Sequence, residues 1–155
     1  MLEEKDEEIE RPLDSTIISE VILYIQTWIN SESILATELY LDYVEDSGGI
    51  GFCIKTDYGQ IVEEDILGNI SAEVVFFIYY KTSATPDGDG LIYKPLNDLS
   101  EWFVENDFTY LDLGTRRTPR EITTINGPVD TSGQDEYGNT TFYSTYKLLF
   151  YEEAE

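Results

Sequence analysis

The stretch Ile70-Ser71-Ala72-Glu73-Val74-Val75-Phe76-Phe77-Ile78-Tyr79-Tyr80-Lys81-Thr82 decides the fold. It is β-branched and aromatic at both odd and even positions, which is the pattern of a central strand covered on both sheet faces. Its apolar run, Val74 to Tyr80, is far short of the roughly 18 residues that a membrane helix requires. One covering layer must then be helical. The other is a second helix or another subunit.

Before this strand, an apolar stripe of Ile18, Val21, Ile22, Ile25, Trp28 and Ile29 predicts a helix from Asp14 or Ser15 to Asn30. Its position on the stripe makes Trp28 a core residue rather than a stacking platform. Leu39, Leu41 and Tyr43 then alternate with Glu38 and Asp42, Asp46-Ser47-Gly48-Gly49 is a turn cluster, and Gly51 to Lys55 is extended, so a hairpin is expected. Beyond the strand, Ala84 to Gly90 is turn-rich, and Leu91, Leu96, Leu99, Trp102 and Phe103 predict a second helix starting near Pro95 and ending at Asn106. Glu121 to Asn126 and Thr140 to Tyr151 read as strands that pair antiparallel across a long Gly/Pro/Asp-rich loop, 127–139. Phe142, Tyr146, Leu148 and Phe150 share one parity of the last strand.

The expected fold is an α+β sandwich in one domain, residues 12–155, with two main helices on a mostly antiparallel or mixed sheet. Residues 1–11 form an acidic arm, with six acids and one Lys in the first ten. A chain of 155 residues suits one core, since such chains bury about 70% of their unfolded surface. Aromatics at 14% and hydrophobics at 41% are too abundant for disorder.

Charge and composition exclude several functions. A net charge of −23 argues against a broad docking surface for nucleic acid or an anionic membrane. The absence of His removes imidazole bases and the commonest transition-metal ligand, and Cys53, the only cysteine, can form neither an internal disulfide nor a multi-cysteine zinc site. The N-terminus lacks the apolar core of a secretory signal. Asp87 and Asp89 resemble the start of a calcium loop, but the further oxygen ligands and the Glu at the twelfth position are missing, so turn chemistry is the better reading. Acidic pairs such as Glu63-Glu64-Asp65 and Glu152-Glu153 could in principle serve glycoside cleavage, yet among 32 acids any spacing occurs by chance. There is no phosphate-binding loop, dinucleotide fingerprint or nucleophile elbow. No enzyme, cofactor or metal is expected.

Arg116, Arg117 and Arg120 are a third of the nine basic residues, packed into five positions beside Pro119. They either neutralise the chain's own carboxylates or meet the acidic face of another subunit; contact with DNA is the remaining alternative.

The segments IISEVILYIQTWINS (17–31), AEVVFFIYYKTS (72–83), PLNDLSEWFVEND (95–107), TPREITTING (118–127) and TTFYSTYKLLFYEEAE (140–155) resemble, in order and spacing, a family of small phage minor capsid and tail proteins. The resemblance covers about residues 15–153 and includes the closing aromatics Phe142, Tyr143, Tyr146, Phe150 and Tyr151. The acidic arm and the loop 127–139 depart from it. It implies a lambda-type tail terminator: a homohexameric ring that caps the tail tube and joins it to the head connector. The implied partners are further copies of this chain, the tail tube protein and the connector or neck proteins. DNA would pass through an acidic lumen without specific binding. The implied location is the virion tail or neck, reached from the host cytoplasm during assembly. Alternatives are a neck adaptor, an acidic DNA-mimic inhibitor of a host DNA-binding protein, and a small glycan-processing enzyme.

Overall fold

The computed structural model describes residues 11–42, 51–83, 91–108, 110–134 and 138–155. In chain order the elements are β1 (Arg11–Pro12), α1 (Ser15–Glu32), β2 (Leu39–Leu41), β3 (Gly51–Glu64), β4 (Ile70–Thr82), a short 3-10 turn (Leu91–Tyr93), α2 (Lys94–Glu105), β5 (Arg117–Gln134) and β6 (Thr140–Glu152). They form an α+β fold built on one six-stranded sheet. Its order is β1-β3-β4-β6-β5, with β2 also beside β3. All pairings are antiparallel except β2 with β3.

Both helices begin where sequence chemistry places them. Asp14 caps α1 by accepting from the Thr16 amide at 2.7 Å. At the other end, Ser33 adopts a left-handed conformation and its N–H reaches the Asn30 carbonyl. Pro95 lies in the first turn of α2, where its missing N–H costs nothing. The two helices lie on the same face of the sheet and meet along an aromatic seam. Trp28 is buried, with its ring centroid 4.5 Å from that of Trp102 and 6.1 Å from that of Phe103. Beneath the seam, Ile54, Val74, Phe76, Ile78, Phe142, Tyr146, Leu148 and Phe150 point from the strands into one apolar cluster. Each fully buried side chain of this size contributes about 1.5–3 kcal/mol.

β4 runs over the residues expected and is central, between β3 and β6. The cover expected on both its faces is found on one only: no described element lies over the opposite face. Two helices joined by an aromatic seam must sit side by side, and side-by-side helices share a sheet face.

Three local expectations are corrected. The hairpin between residues 39–43 and 51–55 does not form, because β2 runs parallel to β3, with Leu39 opposite Phe52 and Leu41 opposite Ile54. A strand of three residues needs a return path of only about 10 Å. Asn30 and Gln26 of α1 hold Leu39 in place for this pairing. Tyr43 and the turn cluster at 46–49 lie outside the described residues. Second, β3 does not stop at Lys55 but continues to Glu64, pairing with β4 through bulges near Asp57 and Val62. Within it, Gly59 leaves room for α1: a Cβ there would stand 2.9 Å from Ile18 Cγ1. Third, the loop expected over 127–139 is strand as far as Gln134, since register shifts between Asn126 and Val129 absorb the Gly127-Pro128 pair within an edge strand. The acidic residues 1–10 lie outside the described residues, whereas Arg11–Pro12 pair with Ile61 and Gln60.

Candidate interaction surface

The uncovered sheet face is assembled by register. Cys53, Tyr79, Tyr143 and Val129 form one cross-strand row, Lys55, Phe77, Thr145 and Asn126 the next, and Tyr58, Val75, Lys147 and Thr123 a third. Phe77, Tyr79 and Tyr143 pack as a triangle, with centroid separations of 6.0, 5.7 and 5.3 Å. These rings are half-buried, and Tyr58 is 46% exposed. The two contacts of Phe77 are edge-to-face, a geometry that aromatic pairs prefer, and Tyr79 is tilted by 33° against Tyr143.

Lysines lie around the triangle, and an arginine lies at the far end of the same face, where Tyr151 pairs with Ser71. Lys55 Nζ lies 5.1 Å from the Tyr79 ring centroid, and the Arg120 guanidinium carbon lies 5.3 Å from that of Tyr151. Lys147 Nζ is 3.6 Å from Glu73, whose other carboxylate oxygen accepts from the Gln60 amide at 2.6 Å. Lys81 lies opposite Thr141 at the end of the same face. Four of the chain's nine basic residues are thus on this one face. Exposed Glu63 and Glu121 and the neighbouring Asp57 balance them, so the patch is close to neutral on a molecule of net charge −23. Cys53 is buried at the margin of the patch, and burial pushes its thiol pKa up.

The structure separates the three arginines. Arg117 is largely buried on the helix side, with Nε 2.7 Å from Glu152, Nη1 3.0 Å from Glu20 and a further bond to the Leu113 carbonyl. Arg116 turns to the C-terminal segment, donating to the Glu153 carbonyl and lying 3.6 Å from Glu155. Only Arg120, carried out by a register shift between Pro119 and Glu121, is exposed on the uncovered face. Two of the three therefore neutralise the chain's own carboxylates. Charge spacing alone could not separate them, because it does not reveal which residue the bulge displaces.

The aromatic and lysine patch was not singled out from sequence. Its signal is the second parity of β4 and β6, where Val75, Phe77 and Tyr79 match Lys147, Thr145 and Tyr143.

Among the described residues, no group of three or more His, Cys, Asp or Glu side chains could hold a metal ion. Asp87 and Asp89 lie outside those residues. A cleft of about 430 Å³ lies between the α1–β2 connection and the start of α2, lined by Ile34, Leu35, Phe52 and Tyr80 and edged by the Lys94–Asp98 ion pair at 2.8 Å. Its walls present no pair of carboxylates and no activated nucleophile. No described helix is long and apolar enough to cross a membrane.

The fold and this surface define an acidic α+β protein with a one-sided sheet. No protein-family profile matches the chain, and no curated protein matches it significantly.

Proposed function

We propose that this protein is a structural component of a phage virion, a tail terminator or a neck adaptor of the same class, that works by assembly and not by catalysis. The observation that carries the reading is the uncovered sheet face, where a triangle of aromatic rings and four cations interrupt a surface that is otherwise strongly acidic. Partly exposed aromatic rings beside cations, on a molecule of net charge −23, suit contact with other protein. The resemblance of the segments at 17–31, 72–83, 95–107, 118–127 and 140–155 to small phage tail proteins supports the same reading.

In this mechanism, copies close into a ring by head-to-tail contacts, and the ring docks on the last layer of the tail tube. Termination is steric, because the docked ring covers the surface that the next tube subunit needs. Acidic residues lining the lumen repel DNA phosphates and let the genome pass.

Electron microscopy of tail tubes incubated with the protein tests this reading. A ring at one end of each tube, with lengthening halted, is the expected result. Tubes that continue to lengthen with bare ends would refute it. Competition with DNA for a basic host protein would instead favour the DNA-mimic alternative.

A further inference from the structure

Asn126-Gly127 is the one Asn-Gly pair in the sequence. It falls in β5, at the sheet edge, where the register passes from Asn126 opposite Thr145 to Val129 opposite Tyr143. Gly127 and Pro128 are thus carried as extra residues with no partner residue on β6, and no described strand lies beyond β5. Asn126 and Gly127 are both exposed, and a Cβ placed on Gly127 would meet nothing within 4 Å. Among the described residues, no side-chain hydrogen bond holds the Asn126 amide. The other asparagines are held. Asn30 bonds Leu39 through both amide atoms, Asn69 bonds Asp65 and the Ala154 N–H, and Asn106 accepts from the Phe108 N–H. Asn139 is buried, and Asn97 lies in α2, where the next N–H belongs to the helical ladder.

We propose that Asn126 is a self-modification site, which loses its side-chain amide through a cyclic imide formed with Gly127. The Gly127 nitrogen gives up its proton and attacks Asn126 Cγ. The new N–Cγ bond forms as the bond from Cγ to the amide nitrogen breaks, and ammonia leaves. Water then opens the imide. Opening at Cγ leaves an aspartyl residue, and opening at the main-chain carbonyl carbon leaves an isoaspartyl residue. The exchange consumes one water and releases one ammonia, so it needs no oxidant, reductant or second protein. Glycine favours it, because no side chain shields the attacking nitrogen. Either product adds a carboxylate at the β5 end of the row Lys55, Phe77, Thr145 and Asn126, on a patch that starts close to neutral. Isoaspartate also inserts a methylene into the main chain of β5 just before Val129, which pairs with Tyr143 of the aromatic triangle. The uncovered face therefore changes in charge and in edge geometry as the molecule ages. This chemistry goes beyond the assembly reading and does not depend on it.

Incubation of the full-length protein at neutral and at mildly alkaline pH, followed by peptide mapping with tandem mass spectrometry, tests it. The peptide that holds Asn126 should gain the mass of an amide-to-acid exchange and separate into aspartyl and isoaspartyl forms. The change should be faster at the higher pH, since the attacking nitrogen must lose its proton, while Asn30, Asn69, Asn97, Asn106 and Asn139 stay intact. Gly127→Ala suits the fold, because its Cβ has room and Gly127 does not use the left-handed region, and it should slow the change several-fold. Asn126→Gln should abolish it, with circular dichroism checking that each variant folds. The folded protein should react at Asn126 about as fast as the same chain unfolded in urea, since the edge strand leaves the pair open. A folded chain that keeps Asn126 while the unfolded chain loses it would show that β5 shields the pair, and would overturn the proposal. Earlier loss at another asparagine, or an unchanged rate in Gly127→Ala, would overturn it as well.

Discussion

Asn30, in the last turn of α1, pairs through its side chain with both backbone groups of Leu39. Its Nδ2 donates to the Leu39 carbonyl at 3.1 Å, and its Oδ1 accepts from the Leu39 N–H at 2.8 Å. The amide imitates a neighbouring strand and fixes where β2 begins. Leu39 is fully buried, so neither backbone group could find water if the amide were lost.

Replacing this amide should therefore be costly. Asn30→Ala leaves the Leu39 N–H without its partner, while Gln26 still serves the carbonyl at 2.8 Å. The expected loss is about 1–3 kcal/mol, read from urea denaturation. Asn30→Asp should also destabilise, since a carboxylate can accept from the N–H but repels the carbonyl. An Asn30→Ala variant as stable as the parent would show that β2 does not depend on this pair.

Tyr146 joins the sheet to α2, with its hydroxyl 3.0 Å from Ser100 Oγ. Ser100 spends its single proton on the Leu96 carbonyl at 3.1 Å, so Tyr146 is the donor. Burial raises the Tyr146 pKa above the ordinary value of 10.0, against the smaller effect of hydrogen bonds that lower it. A group that holds its proton more tightly when folded contributes stability that is complete below its unfolded pKa and is lost as pH rises through the folded value. Stability should fall above about pH 10. Tyr146→Phe should cost about 0.5–1.5 kcal/mol at neutral pH and flatten that alkaline decline. Equal alkaline slopes for parent and variant in denaturation curves would refute the assignment.

Arg117 and Arg116 are neighbours with different duties. Arg117→Met would strand Glu152, whose side chain is only 14% exposed, and should cost about 2–4 kcal/mol. Arg116→Met touches only the exposed C-terminal end and should stay within about 0.5 kcal/mol of the parent. Chemical denaturation of the two variants measures the difference. If both proved neutral, the buried ion pair would not support the fold. A joint charge reversal of Arg116, Arg117 and Arg120 thus mixes folding with assembly, whereas Arg120 alone reports on the surface.

The parts legible in the sequence are those whose pattern reports on the core. The stripe of α1, the period of α2, the doubly apolar β4 and the single parity of Phe142, Tyr146, Leu148 and Phe150 all depend on burial, and burial selects residue type. The second half of β3 was not legible, because Thr56-Asp57-Tyr58-Gly59 is held by β4 while its side chains face water or make way for α1. Parallel β2 depends on side-chain bonds from Asn30 and Gln26 that no periodicity records. The surface patch was half legible: aromatic residues at both parities of β4 signal a second contact, but which parity the helices take depends on how Trp28 and Trp102 meet.

The β3–β4 hairpin depends on one exposed carboxylate. Asp65 Oδ1 accepts from the amides of Leu67 at 2.9 Å and Asn69 at 3.0 Å, and Oδ2 accepts from Asn69 Nδ2 at 3.0 Å. The backbone closes the same loop through Asp65 N to the Asn69 carbonyl, and Gly68 makes the turn at φ +91°. The side-chain bond from Asn69, followed by the backbone amides, holds the Asp65 pKa below the ordinary 3.8. A carboxyl group with a depressed folded pKa stabilises the hairpin above its unfolded value and loses that effect as pH falls through the folded one. Carbon-13 titration of the Asp65 carboxyl should give a midpoint below 3.8, and the Leu67 and Asn69 amides should shift with the same midpoint. Asp65→Asn should remove the acid-linked change at those amides, and Asp65→Ala should speed their hydrogen exchange at neutral pH. A midpoint at or above 3.8 would mean that the carboxylate is not bonded in this way and that Gly68 and the backbone pair hold the turn unaided.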